Sequence, residues 1–153
     1  MHQVAWLNPI AMKKISQILD RKGRSIVSIA PDAHVLDALK MMAEKNIGSV
    51  VVLDKGSYAG MITERDYARK VILKGKTSAE TLVSDIMSTD FPRISPSDSV
   101  DHAMQLMGER NIRYLPVFEH QQLCGIISIN DLVRETLLDQ QETIDQLHSY
   151  IHS

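Results

Sequence analysis

Apolar and polar positions follow two rhythms along the chain, and the order of those rhythms occurs twice. Ser25 to Ile29 is a short β-rich run closed by Pro31-Asp32. Val35, Ala38, Leu39 and Met42 then recur at helical spacing, which predicts a helix with one apolar face. Asn46 suits the end of that helix, because asparagine tolerates the left-handed conformation. Ser49 to Leu53 is a continuous β-branched run, the mark of a strand buried on both faces. Asp54-Lys55-Gly56-Ser57 reads as a hairpin turn and Tyr58 to Ile62 as its return strand. Glu64 to Leu73 reads as a helix with Ala68, Val71 and Ile72 on its apolar side, ended by Lys74-Gly75. The second half repeats the order. Phe91 to Ile94 is a strand, Val100 to Arg110 a helix, and Tyr114 to Phe118 a strand. Glu119-His120-Gln121-Gln122 is a turn, Leu123 to Ile127 a strand, and a longer helix runs from Asn130.

Shifting the sequence by 65 residues makes the repetition explicit. Ile29 falls on Ile94, Pro31 on Pro96, Val35 on Val100 and Met42 on Met107. Asn46-Ile47 falls on Asn111-Ile112, Gly60 on Gly125, Asp66 on Asp131 and Arg69 on Arg134. Two copies are too few for a solenoid, so two units facing each other about a pseudo-twofold axis are expected. The expected fold is α/β (α+β), with the order β-α-β-β-α twice, forming one compact module. The expected divisions are an N-terminal segment 1–23, a first repeat 24–76, a linker 77–90, a second repeat 91–138 and a helical tail 139–153.

Composition narrows the function classes. Hydrophobic residues make up 44% and aromatics 5% of the 153 residues, so the core is aliphatic. A net charge of −2 does not favour nucleic-acid binding by phosphate neutralisation. No apolar run reaches the roughly 18 residues that a membrane span needs, and no signal peptide is visible. The single cysteine, Cys124, lies in an apolar run and reads as a small buried hydrophobe. These features fit a cytoplasmic protein. The six histidines are dispersed, and no metal site or cofactor requirement is indicated. No P-loop, Gly-x-Gly-x-x-Gly or nucleophile motif is present, so an enzyme is not expected.

The third strand of each repeat closes on Gly-x-x-Thr/Ser-x-x-Asp. The stretches are Gly60-Met61-Ile62-Thr63-Glu64-Arg65-Asp66-Tyr67 and Gly125-Ile126-Ile127-Ser128-Ile129-Asn130-Asp131-Leu132. Together with Arg113-Tyr114-Leu115-Pro116-Val117, this pattern resembles the cystathionine-β-synthase (CBS) domain family, and in particular short stand-alone bacterial CBS pairs. The resemblance covers roughly Arg24 to Leu138. It implies a non-catalytic sensor that binds an adenosine ligand in the cleft between its halves. AMP, ATP, NAD and S-adenosylmethionine are ligands of the family, and the resemblance does not choose among them. It also implies a homodimer and an effector protein that the sequence does not name. The alternative is a partner-docking or structural module with no nucleotide.

The residues supply a physical reading of that site. Asp131, in the first turn of a helix, can accept two hydrogen bonds from a ribose diol. Ser128, at the helix start, stands beside backbone N–H groups that suit a phosphate. Equally, Ser128 and Asp131 can form a capping box. Thr63 and Asp66 repeat the pair, with Arg65 as an added cation or a solvated arginine. Arg113 can hold a phosphate bidentately; the first repeat has Gly48 there, so the site around Asp131, Ser128 and Arg113 is the more complete. Ile94, Leu115 and Pro116, with Val27, Ser28 and Ile29 and Val50-Val51 of the other half, offer an apolar slot for adenine. One arginine and a helix N-terminus match a single phosphate, which favours AMP, or the AMP half of NAD, over ATP. Lys13, Lys14, Arg21 or Lys22 folding over the site would change that count. In the tail, Leu137, Ile144 and Ile151 recur every seven residues with Leu147 between them. That stripe fits either a partner helix or packing onto the chain's own N-terminal segment.

Overall fold

The computed structural model describes residues 13–152, with side chains to residue 149. It divides into two units. One is Ser25–Phe91; the other joins the segment up to Arg24 to the chain from Pro92 onward.

The Ser25–Phe91 unit contains β1 (Ser28–Ile29), α2 (Val35–Lys45), β2 (Ser49–Asp54), β3 (Ser57–Thr63), α3 (Glu64–Lys70), a 3₁₀ turn (Ile72–Lys74) and α4 (Val83–Ile86). The strand order is β1-β2-β3, parallel then antiparallel. Val35, Ala38 and Met42 form the buried stripe of α2, and Val50, Val52 and Ile62 oppose them. Asn46 ends α2 with φ +54, as its ability to adopt the left-handed region suggested. The β2–β3 turn places Lys55 and Gly56 at positive φ, the geometry that suits the right-handed twist of a hairpin.

The other unit contains α1 (Ile15–Lys22), α5 (Val100–Arg110), β4 (Tyr114–Glu119), β5 (Gln122–Ser128) and α6 (Ile129–His152). β4 and β5 pair antiparallel. Their core gathers Ile15, Ile18 and Leu19 of α1, Val100, Ala103 and Met107 of α5, Leu115, Val117 and Ile127 of the strands, and Leu132 of α6.

Two expected elements, the strand Phe91 to Ile94 and the helix to Leu73, are corrected. Phe91 to Ile94 forms no strand: Ile94 alone bridges Val117, with one backbone bond to Pro116 and one from Phe118. Pro92 has no N–H to contribute to a longer ladder. The helix expected to Leu73 stops at Lys70, and Ala68, Ile72 and Leu73 are exposed, leaving Val71 as the buried member of that face. The stretch read as a linker, 77–90, carries α4, whose Val83 and Ile86 are buried in the Ser25–Phe91 unit.

The segment before each repeat therefore packs on the other repeat. By the same 65-residue shift Ile18 corresponds to Val83 and Gly23 to Ser88, and both Ile18 and Val83 are buried. This explains the glycine of each octapeptide. A Cβ on Gly60 would lie 2.6 Å from the Ser88 carbonyl oxygen, and one on Gly125 would lie 2.7 Å from Leu19 Cδ2. Each glycine is the seat on which the incoming segment rests.

Candidate ligand site

Each octapeptide carries its chain from the end of a strand into a helix, and there the sequence places a hydroxyl and a carboxylate three residues apart. In the first repeat the pair closes on itself. The Asp66 backbone N–H donates to Thr63 Oγ1 (3.1 Å), and the Thr63 N–H donates to Asp66 Oδ2 (3.0 Å). The Thr63 hydroxyl also donates to Oδ2 (3.1 Å), and the Ser88 hydroxyl donates to Oδ1 (2.8 Å), where Lys70 Nζ adds an ion pair at 3.0 Å. Asp66 is only 6% exposed, and both of its oxygens are committed within the chain. Arg65 lies half-buried on α3, and Ser28 sits half-buried on β1 opposite Val51.

The second repeat has the same capping box with a different balance. The Ser128 N–H donates to Asp131 Oδ2 (2.8 Å), and the Asp131 N–H donates to Ser128 Oγ (3.2 Å). Lys22 Nζ, from the last residue of α1, donates to the same Oδ2 (2.7 Å) and to the Ile126 carbonyl (2.9 Å). Oδ1 faces only Arg134, at 3.6 Å, among the described residues. The Ser128 hydroxyl accepts but does not donate to Asp131, unlike Thr63 to Asp66. Among the described residues, Asp131 Oδ1 thus accepts no hydrogen bond within 3.5 Å and the Ser128 hydroxyl donates none, unlike their counterparts in the first repeat.

The capping reading and the ligand reading of Ser128 and Asp131 are therefore compatible, but the anion seat is smaller than expected. The amides of Ser128 and Asp131 serve the box, and that of Ile129 donates to the Arg113 carbonyl (2.8 Å). The same bond runs from Glu64 to Gly48 in the first repeat. A phosphate here would rely on the Ser128 hydroxyl and on Arg113, whose backbone that bond holds against the junction and whose side chain is exposed. Pro116 is buried on β4 opposite Ile126. Ile94 and Leu115 are interior to the core, so what they offer a ligand is backbone rather than an open apolar surface.

Two of the cations left open by the sequence, Lys13 and Arg21, pair with acids of α6. Lys13 Nζ lies 3.0 Å from Asp139 Oδ1 and 3.4 Å from Glu135 Oε1, while Arg21 Nε lies 3.3 Å from Glu135 Oε2. Glu135 and Asp139 are 2% and 3% exposed, so these two cations neutralise buried acids. The Asp139 carboxylate beside the Lys13 ammonium holds the Lys13 pKa above the usual lysine value, against the opposing effect of burial. The sequence carries no signal for this acid–base packing, because its partners, such as Arg21 and Glu135, lie 114 residues apart with no shared periodicity. Cys124 is half-buried, and burial raises its thiol pKa, the opposite of what an activated nucleophile needs. Among the described residues no cluster of His, Cys, Asp and Glu could hold a metal ion, and no helix is long and apolar enough to cross a membrane.

Comparison with known proteins agrees with the two-repeat fold. The CBS domain family matches residues 15–73 and 83–137, each match starting at the helix that precedes the repeat. The chain is 38% identical over 146 residues to the mitochondrial CBS domain-containing protein CBSX3 of Arabidopsis thaliana, covering 90% of this chain and 71% of that one. A protein with CBS domains from Burkholderia ambifaria has a similar structure, with 44% identity, a TM-score of 0.81, and coverage of 84% of this chain and 96% of that one. A hexameric CBS-CP12 protein from bloom-forming cyanobacteria matches at 29% identity and a TM-score of 0.67, covering 78% and 70%. CBS domains are generally regulatory modules that bind adenosine ligands, and no catalytic family is indicated. The chain belongs to the CBS-domain family, with two repeats.

Proposed function

We propose that the protein is a non-catalytic sensor that binds an adenosine nucleotide at the junction of β5 and α6. The observation that carries this reading is the unequal use of the two aspartates. Asp66 is fully engaged by its own unit, whereas Asp131 keeps Oδ1 for a ribose hydroxyl. Ser128 keeps a proton for a phosphate oxygen, and Arg113 supplies the charge. Charge-assisted bonds to a carboxylate are the stronger kind, so one retained oxygen is a meaningful anchor.

AMP, or the AMP half of NAD, is the favoured ligand. Lys13 and Arg21 are paired with Glu135 and Asp139, so they do not add to the charge available for further phosphates. Arg113 remains the principal phosphate cation of this repeat. Calorimetric titration with AMP, ADP, ATP, NAD and S-adenosylmethionine, without magnesium, is expected to rank AMP tightest among the three adenine mononucleotides. ATP displacing AMP at equal or lower concentration would refute the charge count.

We further propose a homodimer located in the cytoplasm that reports ligand to an effector protein. Leu132, Glu135 and Asp139 bury one side of α6 against its own unit, while Val133, Leu137, Ile144 and Leu147 are exposed on another side. The seven-residue stripe is therefore not what packs on α1; Leu132 and the charged pairs do that. Position 151 lies outside the described side chains. Exposed aliphatics at heptad spacing suit a second helix. With a chain of 17.2 kDa, light scattering at micromolar concentration is expected to give about twice that mass, and Leu137→Glu with Ile144→Glu about one chain. A monomeric wild type would refute this.

A further inference from the structure

We infer that Lys22 is a built-in competitor for the ligand at Asp131, an autoinhibitory contact carried by the N-terminal helix. This rests on the nucleotide reading above and adds a control element to it. The ammonium sits 2.7 Å from Oδ2, an oxygen that already accepts the Ser128 amide at 2.8 Å. A vicinal diol is held most strongly when each carboxylate oxygen takes one hydroxyl. While Lys22 stays, only Oδ1 can do so.

Lys22 is free to leave without undocking its helix. α1 is fixed elsewhere: Ile15, Ile18 and Leu19 are buried, Lys13 and Arg21 hold Glu135 and Asp139, and the Ile15 and Ser16 amides donate to the Asp98 and Pro96 carbonyls. Lys22 is the last residue of α1, its side chain is 33% exposed, and it is followed by Gly23 at φ +94 with open space around it. The first repeat has no such arrangement, since the lysine on Asp66 is Lys70 of the same helix. Ligand binding would therefore expel Lys22 and change the end of α1 where the chain passes from one unit to the other. Anything that draws Lys22 away would in turn tighten binding, because the coupling is reciprocal.

The test is calorimetric titration of AMP into the full chain and into Lys22→Ala and Lys22→Met, with Lys14→Ala as a control. Loss of a partly exposed ion pair is expected to tighten AMP binding about two- to fivefold in both Lys22 variants and to leave the control unchanged. In parallel, amine labelling of the wild type read by mass spectrometry should show Lys22 becoming more reactive when AMP is added. Unchanged or weaker binding in the Lys22 variants, or protection of Lys22 by AMP, would overturn the inference while leaving the nucleotide reading intact. Failure of every variant and the wild type to bind AMP would instead overturn the nucleotide reading, and this inference with it.

Discussion

Lys13→Met is expected to lower the unfolding free energy by about 2–3 kcal/mol, because it strands a buried charge. Asp139 is 3% exposed, and among the described residues Lys13 is its only charged partner. Glu135 is better protected, since Arg21 remains at 3.3 Å. The value lies below the usual cost of breaking a fully buried pair because Lys13 itself retains some exposure and water can approach. Replacing both partners by Lys13→Met and Asp139→Leu should recover most of the loss, because a well-packed apolar pair needs no compensation. The folded pKa of Lys13 is raised, so its contribution is complete below the ordinary lysine pKa of about 10.4 and is lost as pH rises through the folded value. The stability difference between wild type and Lys13→Met, measured by urea unfolding, should therefore hold steady from neutral pH to about pH 10 and shrink above it. A single variant as stable as the wild type would show that the Asp139 charge is compensated elsewhere.

Asp66→Ala should be comparably damaging, at about 3 kcal/mol, for a different reason. Its carboxylate accepts from the Thr63 amide and hydroxyl, from Ser88 and from Lys70. Removing it orphans a buried backbone N–H and a buried hydroxyl at once, each costing about 1–3 kcal/mol. It also releases Ser88, which ties the α4 segment to β3 through reciprocal backbone bonds with Met61. Asp66→Asn keeps one acceptor oxygen and should lose less, about 1–2 kcal/mol. Denaturant unfolding of the two variants measures both values. A loss below about 1 kcal/mol for Asp66→Ala would mean that this junction is not the structural closure described above.

The contrast between these acids shows what a sequence reader can and cannot see. The hairpin strands, the helix ends at Asn46 and Asn111 and the two hairpin turns were legible because they depend on local spacing and on residues that tolerate positive φ. The capping boxes were legible for the same reason: both partners lie three residues apart. The Lys22–Asp131 contact spans 109 residues, and Lys13–Asp139 is longer still. Neither has a periodic signature, and Glu135 and Asp139 acquire a role only once α1 is known to lie against them. The incoming segments were partly recoverable, since Ile18 and Gly23 shift onto Val83 and Ser88, but so short a match carries little weight without the structure. Ile94 and Leu115 show a different ambiguity: apolar residues near a proposed site suit a ligand slot and a core equally well, and both belong to the buried core.

Calorimetric titration of AMP into the wild type and Asp131→Ala tests the ligand site most directly. Binding by the wild type and at least a roughly tenfold loss in the variant are expected, since a charge-assisted hydrogen bond is worth about 1.5–3 kcal/mol. Its thermal stability should fall less than that of Asp66→Ala, because Asp131 holds fewer groups. An Asp131→Ala protein that melts earlier yet binds AMP with wild-type affinity would contradict the account and leave Asp131 a helix cap alone.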